Sequence, residues 1–227
     1  MFDHYEVMRT RRIPPAVLEF IKKEGFMSFL IPKAYGGKEF SILAISTIMA
    51  KLNPASTTIG TYVVIPNSLG AAELIKHYGT DEQKHHYLPK LARGEYVPCF
   101  GLTEPTAGSD AASIKAEGEI FRDTGGALKI KLNFRKRYIT LAPVANLVTL
   151  ACKLHDPQNL LGKGQDLGIT CVLIEKGTPG FTNGDHHQPI GDPFDNGPLY
   201  GKDVIVPVSN IIGGIDKAGH GWRMLME

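Results

Sequence analysis

Cysteine is scarce in this chain: Cys99, Cys152 and Cys171 are the only three among 227 residues. An odd number at wide spacing excludes a disulfide framework, and the three read as reduced thiols of a cytoplasmic protein. Charge of one sign is lacking as well. The 25 basic and 23 acidic residues leave a formal net charge of +2, so nothing electrostatic points to nucleic acid or an anionic membrane. The basic run Arg135-Lys136-Arg137 is too short to alter that. No apolar run approaches the ~18–20 residues of a membrane span. The opening Met1-Phe2-Asp3-His4-Tyr5-Glu6 has neither the basic start nor the apolar stretch of a signal peptide. There is no Gly-x-Ser-x-Gly elbow of a hydrolase, and Gly162-Lys163-Gly164 does not continue into the Ser or Thr of a phosphate loop. His85-His86 and His186-His187 are adjacent pairs. Neighbours diverge on a helix and oppose each other on a strand, so both pairs read as solvated histidines and not as metal ligands.

What is present falls into two textures. The apolar content of 43% suits one large domain or two smaller ones. The first hundred residues read as helical. Pro14-Pro15 opens a helix with Val17, Leu18 and Ile21 on one face and Gly25 at its end. Ser41 caps a second, with Ile42, Ile45, Met49 and Leu52 as its buried stripe. A third runs from Asn67-Ser68 to Gly79 and buries Leu69, Ala72 and Ile75. Thr80 with Gln83 has capping-box spacing for a fourth, which Pro89 should distort or end. Beyond Pro98 come short segments rich in β-branched residues: Lys129–Leu132, Leu147–Cys152, Ile169–Ile174 and Val204–Val206. Gly-rich turns at 123–126, 162–164 and 177–180 separate them, which predicts an antiparallel β-barrel or sandwich. The last residues, from Gly219 to Glu227, turn helical again. So short a helix is expected to bury nothing alone, as if more chain or a partner followed.

The densest signal is Gly101-Leu102-Thr103-Glu104-Pro105-Thr106-Ala107-Gly108-Ser109-Asp110. Two glycines, a proline and several hydroxyls break an apolar run and free backbone N–H groups for an anion or a polar ring edge. Taken alone, it reads first as a surface turn with nothing bound.

A helical block, then a β block opening on Leu-Thr-Glu-Pro-x-Ala-Gly-Ser-Asp, then a returning helix, resembles the acyl-CoA dehydrogenases. Further landmarks follow in the same order: Ile31-Pro32-Lys33-Ala34-Tyr35-Gly36-Gly37, Tyr78–Lys84, Tyr87–Ala92, Leu132-Asn133, Tyr138-Ile139-Thr140, Asp203–Pro207 and Asn210–Gly213. Lys136–Pro143 is most similar to the long bacterial fatty acyl-CoA dehydrogenases of β-oxidation. The resemblance implies an α+β chain. An all-α amino-terminal domain (1–97) precedes a β middle domain that binds flavin and acyl-CoA (98–212), followed by the start of a carboxy-terminal helical domain (213–227). It implies an FAD-dependent oxidation of a fatty acyl-CoA to the trans-2-enoyl-CoA, with a flavoprotein as electron acceptor. It also implies self-association when full length, and a cytoplasmic location with possible attachment to the inner membrane.

Residue by residue, the resemblance implies that the Thr103 hydroxyl, with backbone groups of Phe100 and Leu102, meets the N1 and C2-carbonyl edge of the flavin. Thr140 would lie near N5, and Tyr138 would pack on the ring where many relatives carry Trp. Ser109 would bind the FAD pyrophosphate beside the CoA arm, with Gly108 allowing close approach. Glu104 and Asp110 resemble an acid–base pair, but the family's base is a glutamate of the carboxy-terminal domain, expected beyond Glu227. The two would instead hold the loop through backbone hydrogen bonds. The isolated chain is expected to retain FAD weakly and to turn nothing over. Two other functions remain open at this point: an acyl-CoA oxidase or flavin monooxygenase of the same fold, and a non-catalytic flavin- or CoA-binding fragment.

Overall fold

The computed structural model describes residues 3–227 apart from 69, 190 and 192. Six helices come first: α1 (His4–Thr10), α2 (Pro15–Lys23), α3 (Ile42–Leu52), α4 (Thr57–Val64), α5 (Ala71–Tyr78) and α6 (Asp81–Ala92). Seven strands follow: β1 (Pro98–Gly101), β2 (Glu117–Arg122), β3 (Leu128–Thr140), β4 (Leu147–His155), β5 (Asp166–Glu175), β6 (Phe181–Asn183) and β7 (Asn196–Pro207). A last helix, α7 (Gly221–Met226), closes the chain.

The caps behave as their chemistry requires. Ser41 Oγ accepts from Ala44 N at 3.2 Å, and Thr80 and Gln83 form the reciprocal capping box. Three helical expectations are corrected. Ile42 is 74% exposed, because it lies in the first turn of α3 and the buried stripe begins one turn later at Ile45. The third expected helix starts at Ala71. Asn67 is drawn off to tie the α layer together, donating to Phe26 O and Val63 O and accepting from Leu30 N. Leu69 lies outside the described residues. Pro89 does not end α6, which continues to Ala92. Burial of Tyr87, Leu88, Leu91 and Ala92 outweighs the one lost N–H. Helix α4, unmarked in a sequence of β-branched residues, forms because Ser56 caps it and Tyr62 and Val63 are fully buried.

The strands make one sheet in which β4 is central. Strand β5 pairs along one edge of β4, antiparallel from Leu147 to His155. The other edge is shared in tandem: β1 pairs with 147–150 and β2 with 153–155, both parallel. Strands β3, β7 and β6 then continue antiparallel beyond β2. The helices-then-β order holds, but the sheet is mixed instead of wholly antiparallel. The reason is that the chain reaches β4 only after the β2–β3 hairpin, a crossover that restores the direction of β1. Gly201 in β7 leaves room for Phe134 of β3, since a Cβ there would fall 2.1 Å from the ring. Helix α7 is also corrected: it buries Gly221 and Met224 on its own, and Gly219 N donates to Thr170 Oγ1 in β5. No helix among the described residues is long and apolar enough to cross a membrane.

Gln83 joins the helical layer to the end of the β layer. Its Nε2 donates to Ser209 O (2.8 Å) and Ile211 O (2.7 Å), and its Oε1 accepts from Gly213 N (2.9 Å) and Thr80 N (3.1 Å). Gln83→Ala strands these partners in a buried place and is expected to lower stability by about 2–3 kcal/mol in urea denaturation. Thr80→Ala, which removes only the cap, should cost about 1 kcal/mol. Equal losses for the two variants would refute the linking role of Gln83.

Candidate functional site

The stretch 101–110 leaves the sheet because β1 can go no further: β2 occupies the next part of the β4 edge. The chain loops out over 102–116 and returns. Glu104 and Ala107 exchange backbone hydrogen bonds (3.0 and 3.2 Å) around a tight turn with Pro105 at its second position. The Glu104 carboxylate turns inward. Oε2 accepts from Lys115 N at 2.6 Å, and Oε1 accepts from Ala116 N at 2.9 Å and Lys136 Nζ at 2.7 Å. Lys136 Nζ also donates to Leu102 O at 2.9 Å. The two side chains are 4% and 0% exposed. Burial alone would raise the Glu104 carboxyl, but the Lys136 ammonium and the two N–H groups outweigh it and hold it below the usual range. Burial draws Lys136 below the ordinary lysine range, against the pull of Glu104. Ala107 and Ile114 seat the loop on Ala151.

The far half of β3 carries the second element. Ile130, Leu132, Phe134 and Lys136 are buried in strict alternation, and then the alternation slips. Lys136 pairs with Leu199 and Ile139 with Gly197, so Arg137 and Tyr138 together oppose Pro198. This is a β-bulge, with Tyr138 in the left-handed region at φ 59° and 54% exposed. Arg137 N donates to Thr103 O at 2.9 Å and fastens the bulge to the loop. The Arg137 guanidinium lies 4.4 Å from the Tyr138 ring centre, and the His187 ring centre lies 5.0 Å from it. Tyr138, His187, Phe194 and Asn196 border a cavity of about 310 Å³.

The structure thus brings Thr103, Tyr138 and Thr140 to one edge: Thr103 and Tyr138 through Arg137, Tyr138 and Thr140 through Asn196. Phe100 sits in β1 opposite Thr149, and the Leu102 carbonyl is taken by Lys136. Ser109 stands on the exposed outer arm of the loop. Asp110 is exposed, and its carbonyl accepts from Ser113. Glu227 is exposed as well; it accepts from Tyr78 and Arg223, which keep its carboxyl low.

Sequence reasoning passed over several residues. Lys136, read only as one member of a short basic run, is fully buried. The alternation from Ile130 was the available signal, since an inward lysine demands a carboxylate. The second histidine pair is not simply solvated. His186 Nε2 hydrogen-bonds the buried Asp195, whose carboxyl burial pushes up to about 6 while Arg12 pulls it back, and His187 Nδ1 meets Asn196 Oδ1 at 3.2 Å. All three cysteines are free and buried, with the Cys152 and Cys171 thiols pushed up to about 12, so none is a ready nucleophile. No group of three or more His, Cys, Asp or Glu among the described residues could hold a metal ion. The wall offers hydroxyls, amides, aromatic rings and a cation, which suits binding and polarising a planar ligand with a polar edge.

Lys136→Met leaves Glu104 buried without its cation and should destabilise the protein by about 3–5 kcal/mol. Adding Glu104→Gln should recover part of that loss. The wild-type Glu104 contribution stands at neutral pH and fades as pH falls through its lowered folded pKa. The unpaired carboxylate of Lys136→Met can instead accept a proton, so the difference between the two proteins should be larger at pH 7 than at pH 5. Urea midpoints at both pH values check the sign.

Two family models match the chain in order: the acyl-CoA dehydrogenase N-terminal domain over residues 2–95 and the acyl-CoA dehydrogenase middle domain over 99–204. An acyl-CoA dehydrogenase of Bacillus subtilis (strain 168) is 29% identical over 97% of this chain and 55% of its own length. A 3-(aryl)acrylate reductase of Clostridium sporogenes (strain ATCC 15579) is 33% identical over 93% of this chain and 53% of its own. The crystal structure of an acyl-CoA dehydrogenase complexed with FAD, from Bacillus anthracis, superposes with a TM-score of 0.76. It is 26% identical and aligned over 93% of this chain and 34% of that one. The chain spans about half the length of the curated relatives it matches. With both domain models matched in order over nearly all of residues 2–204, the chain belongs to the acyl-CoA dehydrogenase family.

Proposed function

We propose that this chain forms the flavin-binding wall of an FAD-dependent dehydrogenase that converts a fatty acyl-CoA to its trans-2-enoyl-CoA in β-oxidation. The observation that carries this is the bond from Arg137 N to Thr103 O, which holds the hydroxyl of the signature loop beside the bulge bearing Tyr138. The donor set fits the cofactor. Thr103 and Thr140 are half-buried hydroxyls, Tyr138 presents a ring, and a Cβ on Gly108 would meet nothing within 4 Å, so the loop backbone is open to a close ligand. When bound, FAD supplies the hydride acceptor that the protein itself lacks. Thr103, with backbone groups of Phe100 and Leu102, binds the edge of the ring that becomes electron-rich. Thr140 donates on the same wall, Tyr138 packs against the ring system, and Ser109 holds the pyrophosphate beside the CoA arm. Neither Glu104 nor Glu227 is the proton-abstracting carboxylate in this reading: Glu104 is locked by Lys136 and two N–H groups, and Glu227 is held by Tyr78 and Arg223.

In this reading the substrate is a fatty acyl-CoA, the electron acceptor is a flavoprotein, the whole protein self-associates, and the work is done in the cytoplasm. The likeness to an acrylate reductase favours one alternative, the same wall serving the reverse reaction. Reoxidation of the reduced flavoprotein by an enoyl-CoA but not by a dye would mark that alternative.

FAD titrated into the protein should show saturable quenching of flavin fluorescence. Thr103→Val and Thr140→Val should each weaken it roughly 3- to 10-fold, as expected for one lost hydrogen bond. Tyr138→Ala should perturb the visible flavin spectrum. Saturable binding unchanged in all three variants would remove the flavin from this wall.

A further inference from the structure

Two residues at the end of β3 sit in left-handed backbone although they carry side chains: Tyr138 at φ 59° and Leu141 at φ 64°. They bracket Ile139 and Thr140. Such conformations persist only where neighbours over-determine them. Here the neighbours are two consecutive residues, Asp195 and Asn196, where the chain enters β7. Leu141 N donates to Asp195 O at 2.8 Å, and Asn196 Nδ2 donates to Tyr138 O at 3.1 Å. The need for the second bond lies in the ladder itself. The residue facing the bulge is Pro198, which has no N–H, and its own carbonyl already accepts from Gly184 N at 2.9 Å. The Tyr138 carbonyl therefore turns to a side chain for its donor.

The orientation of the Asn196 amide follows from this. A carbonyl only accepts, so the NH₂ group faces Tyr138 and Oδ1 faces His187. At 3.2 Å from that oxygen, His187 Nδ1 must carry the proton, and His187 N donates in turn to Asn196 O at 2.7 Å. The second N–H of Asn196 points at Thr140 Oγ1, at 3.5 Å, the long end of a hydrogen bond. A hydroxyl that accepts from Asn196 keeps its own proton for the other side. Asn196 is itself 5% exposed and does not present itself to solvent.

We infer that Asn196 is the positioning residue of this site: its buried amide clamps both ends of the Tyr138–Thr140 segment and turns the Thr140 hydroxyl outward as a donor. His187, bonded to Asn196 and packed on the Tyr138 ring, completes the clamp. The role assigned to Thr140 rests on the flavin-binding function proposed above; the clamp on the bulge does not. Asn196→Asp keeps the shape but offers an acceptor, which draws the Thr140 proton inward.

The test is a double-mutant cycle on FAD affinity, with hydrogen exchange of the backbone amides from Ile139 to Ala142 as a flavin-independent arm. Asn196→Ala should weaken FAD about tenfold, and Asn196→Asp at least as much. In a Thr140→Val background the further effect of Asn196→Ala should shrink to about threefold or less, because part of its action passes through that hydroxyl. Full additivity, or unchanged affinity for Asn196→Ala and Asn196→Asp, would overturn the inference. If the wild-type protein binds no FAD, the flavin function fails and exchange decides the clamp. Faster exchange at Ile139–Ala142 in Asn196→Ala supports it, and unchanged exchange overturns it.

Discussion

The buried pair of Glu104 and Lys136 is the contact on which the site depends. It fastens three backbone groups to β3, which carries Lys136: the carbonyl of Leu102 where the loop leaves and the N–H groups of Lys115 and Ala116 where it returns. Buried ion pairs add little net stability over well-packed apolar residues. An apolar pair of the same volume could fill this space, but it could neither accept from two amides nor donate to a carbonyl. What the pair provides is a loop with one shape, its outer arm free of structural duties and available to a ligand. That is also why the carboxylate that most resembles a catalyst is least able to act as one.

The second constraint is the break in β3. A strand that alternates cleanly from Ile130 to Lys136 would carry Tyr138 inward; the bulge instead turns Arg137 and Tyr138 out together. The cost of left-handed backbone at Tyr138 and Leu141 is offset by hydrogen bonds from the segment that enters β7, where Pro198 has withdrawn the ordinary ladder donor. Loop and bulge are then joined by a single backbone bond from Arg137 to Thr103. The candidate site residues thus lie largely on short irregular segments held by buried polar contacts to a rigid sheet. Gln83 performs the same service between the sheet and the helical layer.

A scaffold of this kind is not tied to one reaction. The relatives include a protein named for dehydrogenation and one named for reduction. In the proposed function the wall binds and polarises a redox ring, and such a wall is compatible with either direction.

The linear order of the chain was legible before any coordinates. Caps at Ser41 and Thr80, the Gly–Pro break at 101–110 and the β-branched segments after Pro98 are local signals, set by residues within a few positions of one another. They determined the helical and β textures, the family and the identity of the candidate hydroxyls. Tertiary structure alone decided the rest. Lys136 passed for one member of a short basic run because its partner lies 32 residues away and only the tertiary fold brings the two together. His186 and His187 passed for solvated histidines because what holds them, Asp195 and the Tyr138 ring of β3, comes from other segments. The mixed sheet, the passage of α6 through Pro89 and the partial burial of α7 share that cause. Local sequence sets what a segment prefers, whereas burial and hydrogen-bond satisfaction between distant segments settle which preference prevails.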